Sequence, residues 1–363
     1  LFRSKKEIFD LIIIGAGFAG LSAGYHFAAK GKQKVLILEK GDGKDNASFA
    51  STAEMNHDPD VDWQKVIKKF GREEASLIWK LNESEIKRLS LFAHSPSVAH
   101  FETKRVSAFL YGQTKEDLKH IHRKFELYKK INATVELISS GSDTFFKHTL
   151  RIKNDGKTNN QAILAGLKKV IRVHAGKILY GKEIISVEKK ETYELHTASQ
   201  VYYAKKVLVA TGDQGILGLD ILPIQKIKTF VTRYKLTGKE SELIKDNVFW
   251  DTVHPFHYIR TFGDRELWIG GEDVVLTDGV TFNEKEKITA LQDYVENKIK
   301  IAQSEQYLGH WSGTFFESKR SVPYVYQDDK TGIMYSVGFG GSGLLISLAS
   351  GYLHYMWQKG KMK

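Results

Sequence analysis

Near its start the chain runs Phe9-Asp10-Leu11-Ile12-Ile13-Ile14 straight into Gly15-Ala16-Gly17-Phe18-Ala19-Gly20. The unbroken apolar run Leu11 to Ile14 reads as a strand buried on both faces. A helix-like stretch follows from Leu21 to Lys30, then a second buried strand, Lys34-Val35-Leu36-Ile37-Leu38, ending in Glu39. Gly15 suits the tight turn out of the strand, Gly17 a close approach of backbone to a pyrophosphate, and Gly20 the packing of helix on sheet. The helix N-terminus offers free N–H groups and a positive dipole end to phosphates. Glu39 lies 19 residues beyond Gly20, where a carboxylate accepts hydrogen bonds from ribose hydroxyls. Strand, helix, strand and acid in register point to dinucleotide binding rather than to a glycine-rich structural turn.

A chain of 363 residues can bury a large core and supports two domains. Its 42% hydrophobic and 27% charged content is that of a globular rather than a disordered protein. No apolar run reaches the roughly 18 to 20 residues that cross a bilayer. Basic residues precede the first strand, but Gly15 to Gly20 is no cleavage site, so no signal peptide is read there and a cytoplasmic protein is the simplest expectation. The sequence starts at Leu1, so its N-terminus is expected to be truncated. The absence of cysteine excludes disulfides, thiolate metal sites, iron–sulfur ligation and a cysteine-linked flavin within these residues. No metal site is expected. The net charge of +11 raises the question of nucleic acid, yet the lysines fall in scattered pairs such as Lys68-Lys69, Lys129-Lys130 and Lys205-Lys206, the pattern of solvated faces.

Nucleotide-binding pieces lie at both ends and in the middle. Lys206-Val207-Leu208-Val209-Ala210-Thr211-Gly212 is a third buried strand, and Ile333-Met334-Tyr335-Ser336-Val337 leads into Gly338-Phe339-Gly340-Gly341-Ser342-Gly343 and an apolar helix to about Trp357. Helices are expected over 61–92, 116–130, 160–173 and 284–301. Aromatic and β-branched residues over 229–236 and 248–275 predict an antiparallel sheet. The order argues for two interleaved domains.

Together these blocks resemble the FAD-dependent D-amino-acid-oxidase superfamily, which includes glycine oxidase and sarcosine oxidase. The resemblance rests on Gly15 to Glu39, on Ala47-Ser48 with Thr52-Ala53-Glu54, on Val209-Ala210-Thr211-Gly212 and on Tyr335 to Leu345. It implies an α/β fold: a Rossmann-like FAD-binding domain of glutathione-reductase type (1–96, 155–222 and 305–363) interleaved with a smaller antiparallel or mixed β-sheet substrate domain (97–154 and 223–304). It implies non-covalent FAD. The cofactor's expected contacts are Gly15, Gly17, Phe18, Ala19, Gly20, Glu39 and Lys40 in the first block. Ala47, Ser48, Thr52, Ala53 and Glu54 cover the flavin and pyrophosphate. Ile184, Ala210, Thr211 and Gly212 follow, and Gly338, Phe339, Gly340, Gly341, Ser342, Gly343 and Leu344 form the C-terminal flavin loop.

The stretch Trp250 to Arg260, with Ile269-Gly270-Gly271-Glu272-Asp273, looks like the flavin module of a Rieske-associated branch, in which a Rieske domain often follows the flavin domain. No cysteine is present to build that domain here, so its electron-transfer role is expected to be absent. Two departures from the superfamily bear on substrate. Its amino-acid oxidases carry an arginine for the substrate carboxylate just after Trp-x-Gly; in Trp311-Ser312-Gly313-Thr314-Phe315 that place falls on Phe315. Phenylalanine cannot replace an arginine fork, so Arg260 or Arg320 would have to substitute. Some amine oxidases of the fold place a lysine near the flavin where this chain has Trp268, which argues for a dehydrogenase or slow oxidase.

The resemblance implies hydride transfer from a C–H beside nitrogen to the flavin. His257, Tyr258 and Arg260 are the substrate-side candidates, with Trp268 and Phe315 lining the pocket. On a strand, His257 and Ile259 face one side, Tyr258 and Arg260 the other. His57 follows the flavin-covering loop and is the residue to suspect if flavin proves covalent. Glu317, Lys319 and Arg320 read as surface charges on a loop. The expected partners are a small amine and an unidentified electron acceptor. Alternatives are an RNA-modifying or RNA-binding flavoprotein, prompted by the charge, and a flavin-binding protein with a degenerate amine site, prompted by Phe315 and Trp268.

Overall fold

The computed structural model describes residues 6–139, 148–212, 222–236, 245–263 and 265–362. The apolar run Leu11–Ile14 is the centre of a six-stranded sheet. Its order is Tyr324–Gln327, Met334–Val337, Val207–Gly212, Leu11–Ile14, Val35–Leu38 and Lys177–Leu179, parallel except for the first pair. Ile13 lies beside Leu208 on one neighbour and Ile37 on the other.

Both faces are covered, which is why the run is apolar without alternation. Leu11 and Ile13 face a core shared with helices Phe18–Tyr25, Asn160–Val173 and Leu344–Gln358. Ile12 and Ile14 face a second core beneath a four-stranded sheet that includes Tyr193–His196 and Val201–Ala204. Ile12 and Ile13 are fully buried, so truncation of either to alanine costs about 2–5 kcal/mol.

The remaining strands form a nine-stranded sheet that contains Tyr307–Ser318, Ile224–Lys235, Glu266–Leu276, His257–Phe262, Asn247–Asp251, Thr103–Gly112 and His148–Thr158. Helix Glu284–Asp293 backs one face through Ile288 and Leu291, which pack with Phe249, Ile259 and Ile269. The opposite face meets the nucleotide-binding loops. This sheet bulges where Glu272 and Asp273 lie opposite Thr229, and Gly271 and Glu272 there adopt positive φ (142° and 56°).

The helices expected from periodicity form at Trp63–Phe70, Arg72–Ala93, Lys115–Lys130 and Asn160–Val173. Two long strands were not legible. His148–Thr158 reads Arg151-Ile152-Lys153-Asn154-Asp155-Gly156-Lys157, and Tyr307–Ser318 is rich in glycine, serine and threonine. Neither shows a clean period of two. Pairing also cuts across the expected division of the chain. Tyr307–Ser318 pairs along its length with Ile224–Lys235, and residues 155–158 pair with Thr103–Gly112, so both segments lie in the large sheet.

Candidate active site

The first glycine turn is built as its sequence implies. Gly15 has φ +107°, and a Cβ there would lie 2.4 Å from the Ala210 carbonyl oxygen. A Cβ on Gly20 would lie 2.0 Å from the Gly15 carbonyl oxygen. The helix Phe18–Tyr25 therefore starts directly above the strand ends. Glu39 is buried; its Oε2 accepts the Ala16 N–H at 2.7 Å and its Oε1 the Gly41 N–H at 3.1 Å. The carboxylate is thus fixed at the rim of the turn, the position expected of a ribose-binding acid. Lys40, next to it, is exposed, while Ile184 is buried in the second core with Leu36 and Leu38 and is a packing residue.

The segment after Asn46 forms one helical turn, Ala47–Ala50, and a two-residue strand, Glu54–Met55. A segment with so little regular pairing must satisfy its carbonyls otherwise. Side chains from three directions do so. Asn160 donates to the Ser48 and Phe49 carbonyls at 3.2 and 2.6 Å. The Trp311 indole donates to the Ala50 carbonyl at 2.8 Å. Arg260 Nη1 donates to the carbonyls of Thr52, Ala53 (3.1 Å) and Thr158 (3.2 Å), and its Nε to that of Thr261 at 3.1 Å. The Ser48 hydroxyl accepts the Phe18 N–H at 2.9 Å, which places Ser48 against the glycine turn.

The C-terminal glycine loop closes the other side. The Gly338 N–H donates to Gly212, and that of Gly340 to Phe316, at 3.1 and 2.9 Å. The third and fourth sequence blocks therefore meet at the edge of strand Tyr307–Ser318, and helix Leu344–Gln358 starts there.

Over these loops lies the open face of the large sheet. Paired strand neighbours share a face, which joins Tyr258 with Gly270, Val231 and Trp311, and Arg260 with Trp268. Tyr258 lies flat over Gly270; a Cβ there would sit 2.0 Å from its ring. Burial first, then the charges of Asp273 and Glu54, push its phenol well above the usual range. Trp268 stacks on Phe262 at 4.2 Å and meets Trp311 edge-on at 5.0 Å. Phe315 lies against the flavin loop, 3.5 Å from a Cβ built at Gly341.

Carboxylates share this face. Asp273 is pushed up to about 6, by burial first and then by Asp60, Glu317 and Glu272 around it. Glu54 is pushed up to about 7 by burial, against the opposing pull of Arg260. Glu54 Oε1 and Asp273 Oδ1 are each shielded from solvent without a close hydrogen-bond partner, while the Thr229 hydroxyl interacts with Tyr258 and the Asp273 carboxyl. Polar atoms left in that state between two walls mark a space built for a bound group. The glycine cradle and the anchored Glu39 fit FAD.

Three sequence expectations change. Arg260 is no open substrate clamp: its donors hold the loop after Asn46, and burial lowers its pKa to about 10. His257 points to the other face of the sheet, as strand alternation requires. There it bonds Asp251 through Nδ1 at 2.8 Å, stacks on Tyr294 at 3.8 Å and leaves the site. Glu317 is not a loop charge; it lies in strand Tyr307–Ser318, accepts from Gln225 at 2.6 Å and is raised in pKa by burial. Arg320 rests over the Tyr324 ring at 4.7 Å. His57 is buried, bonded to Asp155 and stacked on Trp79 at 5.2 Å, which makes it a support for the loop. Asn160 and Asp155 escaped the sequence reading, because lone polar residues in a strand or at a helix start carry no periodic signal.

The profile of the DAO family, described as FAD dependent oxidoreductase, matches residues 10–354. The chain belongs to this family. Among curated relatives, the Bacillus subtilis protein YhfW, named for a Rieske 2Fe-2S iron-sulfur protein, is 21% identical over 360 residues, covering 95% of this chain and 67% of that protein. Among solved structures, glycine oxidase from Geobacillus kaustophilus superposes with a TM-score of 0.83 at 17% identity, covering 99% of this chain and 96% of that one. The L-proline dehydrogenase from P. horikoshii gives a TM-score of 0.75 at 16% identity, over 99% and 95%. These likenesses establish the DAO-type fold, and the family establishes FAD as cofactor and redox chemistry as the activity. Among the described residues, no helix is long and apolar enough to cross a membrane.

Proposed function

We propose that this family member oxidises a small amine that lacks the carboxylate clamped by amino-acid oxidases. The observation that carries the reading is the composition of the sheet face over the flavin loops. Phe315 holds the place expected of the clamp arginine, Arg260 is committed to loop carbonyls, and Arg320 lies over Tyr324. An apolar wall of Tyr258, Trp268, Trp311 and Phe315 suits an uncharged or aromatic substituent on nitrogen, with selectivity of about 1–3 kcal/mol per methylene-sized group.

FAD supplies the two-electron acceptor. The chain does the positioning. Arg260, Asn160 and Trp311 hold the covering loop, and Tyr258, pinned over Gly270, sets the height of the pocket. The N-terminus of Leu344–Gln358 presents its dipole toward the flavin loop and would stabilise negative charge there. Trp268 at the place of the lysine favours a dehydrogenase or a slow oxidase.

The experiment is anaerobic flavin bleaching with a matched series of amines with and without a carboxylate. Secondary amines are expected to reduce the flavin fastest. Reduction by glycine or D-alanine as fast as by any secondary amine would overturn the reading.

A further inference from the structure

We infer, resting on the amine-oxidising reading above, that Glu54 receives the ammonium group of the substrate and takes its proton. The placement follows from a two-residue strand. Met55 points into the core beneath the nucleotide-binding helices, among residues such as Leu344 and Leu345. Its neighbour Glu54 therefore points the opposite way, toward the sheet. There it stands close enough to Tyr258 and Arg260 to perturb both.

The groups around Glu54 leave it without a resident partner at one oxygen. Arg260 spends its Nη1 on the carbonyls of Thr52, Ala53 and Thr158. Lys157, the residue opposite Glu54 in the strand register, donates its ammonium to the Lys245 carbonyl and the Thr261 hydroxyl. Asp155 carries like charge and is bonded to His57. The Asn56 side chain hydrogen-bonds the Glu54 carboxyl group without occupying Oε1, and Tyr258 completes the surroundings. Glu54 Oε1 is shielded from solvent and bonded to nothing. A buried acceptor of this kind is costly unless a donor arrives. The Tyr258 ring near it attracts cations through its face.

The chemistry needs such a group. An alkyl ammonium, with a pKa near that of lysine at about 10.4, is almost wholly protonated at neutral pH. Its nitrogen then has no electron pair to stabilise the cation left by hydride departure. In the proposed step the substrate N–H bond breaks, its electron pair stays on nitrogen, and the proton forms an O–H bond at Glu54 Oε1. No atom changes oxidation state. The neutral amine then meets the flavin. Burial pushes Glu54 up to about 7, so its carboxylate form is present in the range where the substrate is still ammonium.

The test uses the FAD-loaded protein and its Glu54→Gln and Glu54→Asp variants. Tetramethylammonium chloride, which carries charge but no transferable proton or reactive chemistry here, reports binding through quenching of Trp268 and Trp311 fluorescence. Wild type is expected to bind it at least tenfold more tightly at pH 8.5 than at pH 6. Glu54→Gln is expected to lose that difference and at least tenfold affinity at pH 8.5, and Glu54→Asp to retain part of both. Anaerobic flavin reduction by N-methylbenzylamine is expected to lose its low-pH limb in Glu54→Gln. Unchanged cation binding in Glu54→Gln overturns the inference. Loss of FAD from Glu54→Gln with cation binding intact also overturns it, assigning Glu54 to the cofactor. If cation binding depends on Glu54 while no amine bleaches the flavin, the amine-oxidising reading fails and the proton-transfer step with it, while the cation site stands.

Discussion

Arg260→Met separates a loop support from a substrate residue. The guanidinium faces four carbonyls: those of Thr52, Ala53 and Thr158 from Nη1, and that of Thr261 from Nε. Nη1 carries only two hydrogens, so three bonds at full strength is the ceiling. At about 1.5–3 kcal/mol for each bond from a charged donor, the gross contribution is about 4.5–9 kcal/mol. Burial works against it. The pKa falls from its ordinary value to about 10, which corresponds to a cost of about 3 kcal/mol for holding the charge inside. The net is about 1–6 kcal/mol, and methionine keeps most of the apolar volume, so a loss near 3 kcal/mol is expected. The assay is urea unfolding followed by both tryptophan fluorescence and release of flavin. Because the bonds go to the covering loop, flavin is expected to leave the variant at lower urea than wild type, ahead of the main unfolding. An Arg260→Met protein that unfolds and releases flavin like wild type, yet no longer binds substrate, would refute the reasoning and return Arg260 to the pocket.

Removal of the Glu39 carboxylate is expected to weaken FAD binding by about 1–3 kcal/mol, measured by flavin fluorescence on titration. Glu39→Ala is expected to fall at or beyond the upper end, because it also strips the Ala16 and Gly41 N–H groups of their acceptor, whereas Glu39→Gln keeps an acceptor oxygen. Glu54→Gln is expected to change the pH dependence of stability. The folded pKa is raised from 4.5 to about 7, so the native state holds a proton that the unfolded chain has released between those values, and wild type loses stability as pH rises through that window. The variant should match wild type below pH ~4.5 and exceed it by on the order of 3 kcal/mol above pH ~7, in thermal melts at both ends. Acid precipitation is expected to release yellow FAD into the supernatant, since His57 is enclosed by Asp155 and Trp79; flavin retained on the precipitate would contradict this.

The sequence by itself determined the nucleotide-binding half of the fold. The apolar run into Gly15, Gly17 and Gly20, the carboxylate at Glu39 and the loop after Val337 are local signals, each forced by backbone geometry or by burial on both faces of a parallel strand. The alternation of His257, Tyr258, Ile259 and Arg260 was legible for the same reason: it is a property of one strand. Only the tertiary structure decided what each face meets. His257 went to the helix side, where Asp251 and Tyr294 hold it, and Arg260 reached a loop far away in sequence. Strands Tyr307–Ser318 and His148–Thr158 joined the large sheet although their own residues carry little pattern, because their partners supply the burial. Glu54 and Glu317 read as a loop contact and a surface charge in sequence. Their partial burial, and hence their raised pKa, arises from elements that fold over them, and desolvation is a property of the surroundings that no residue carries on its own.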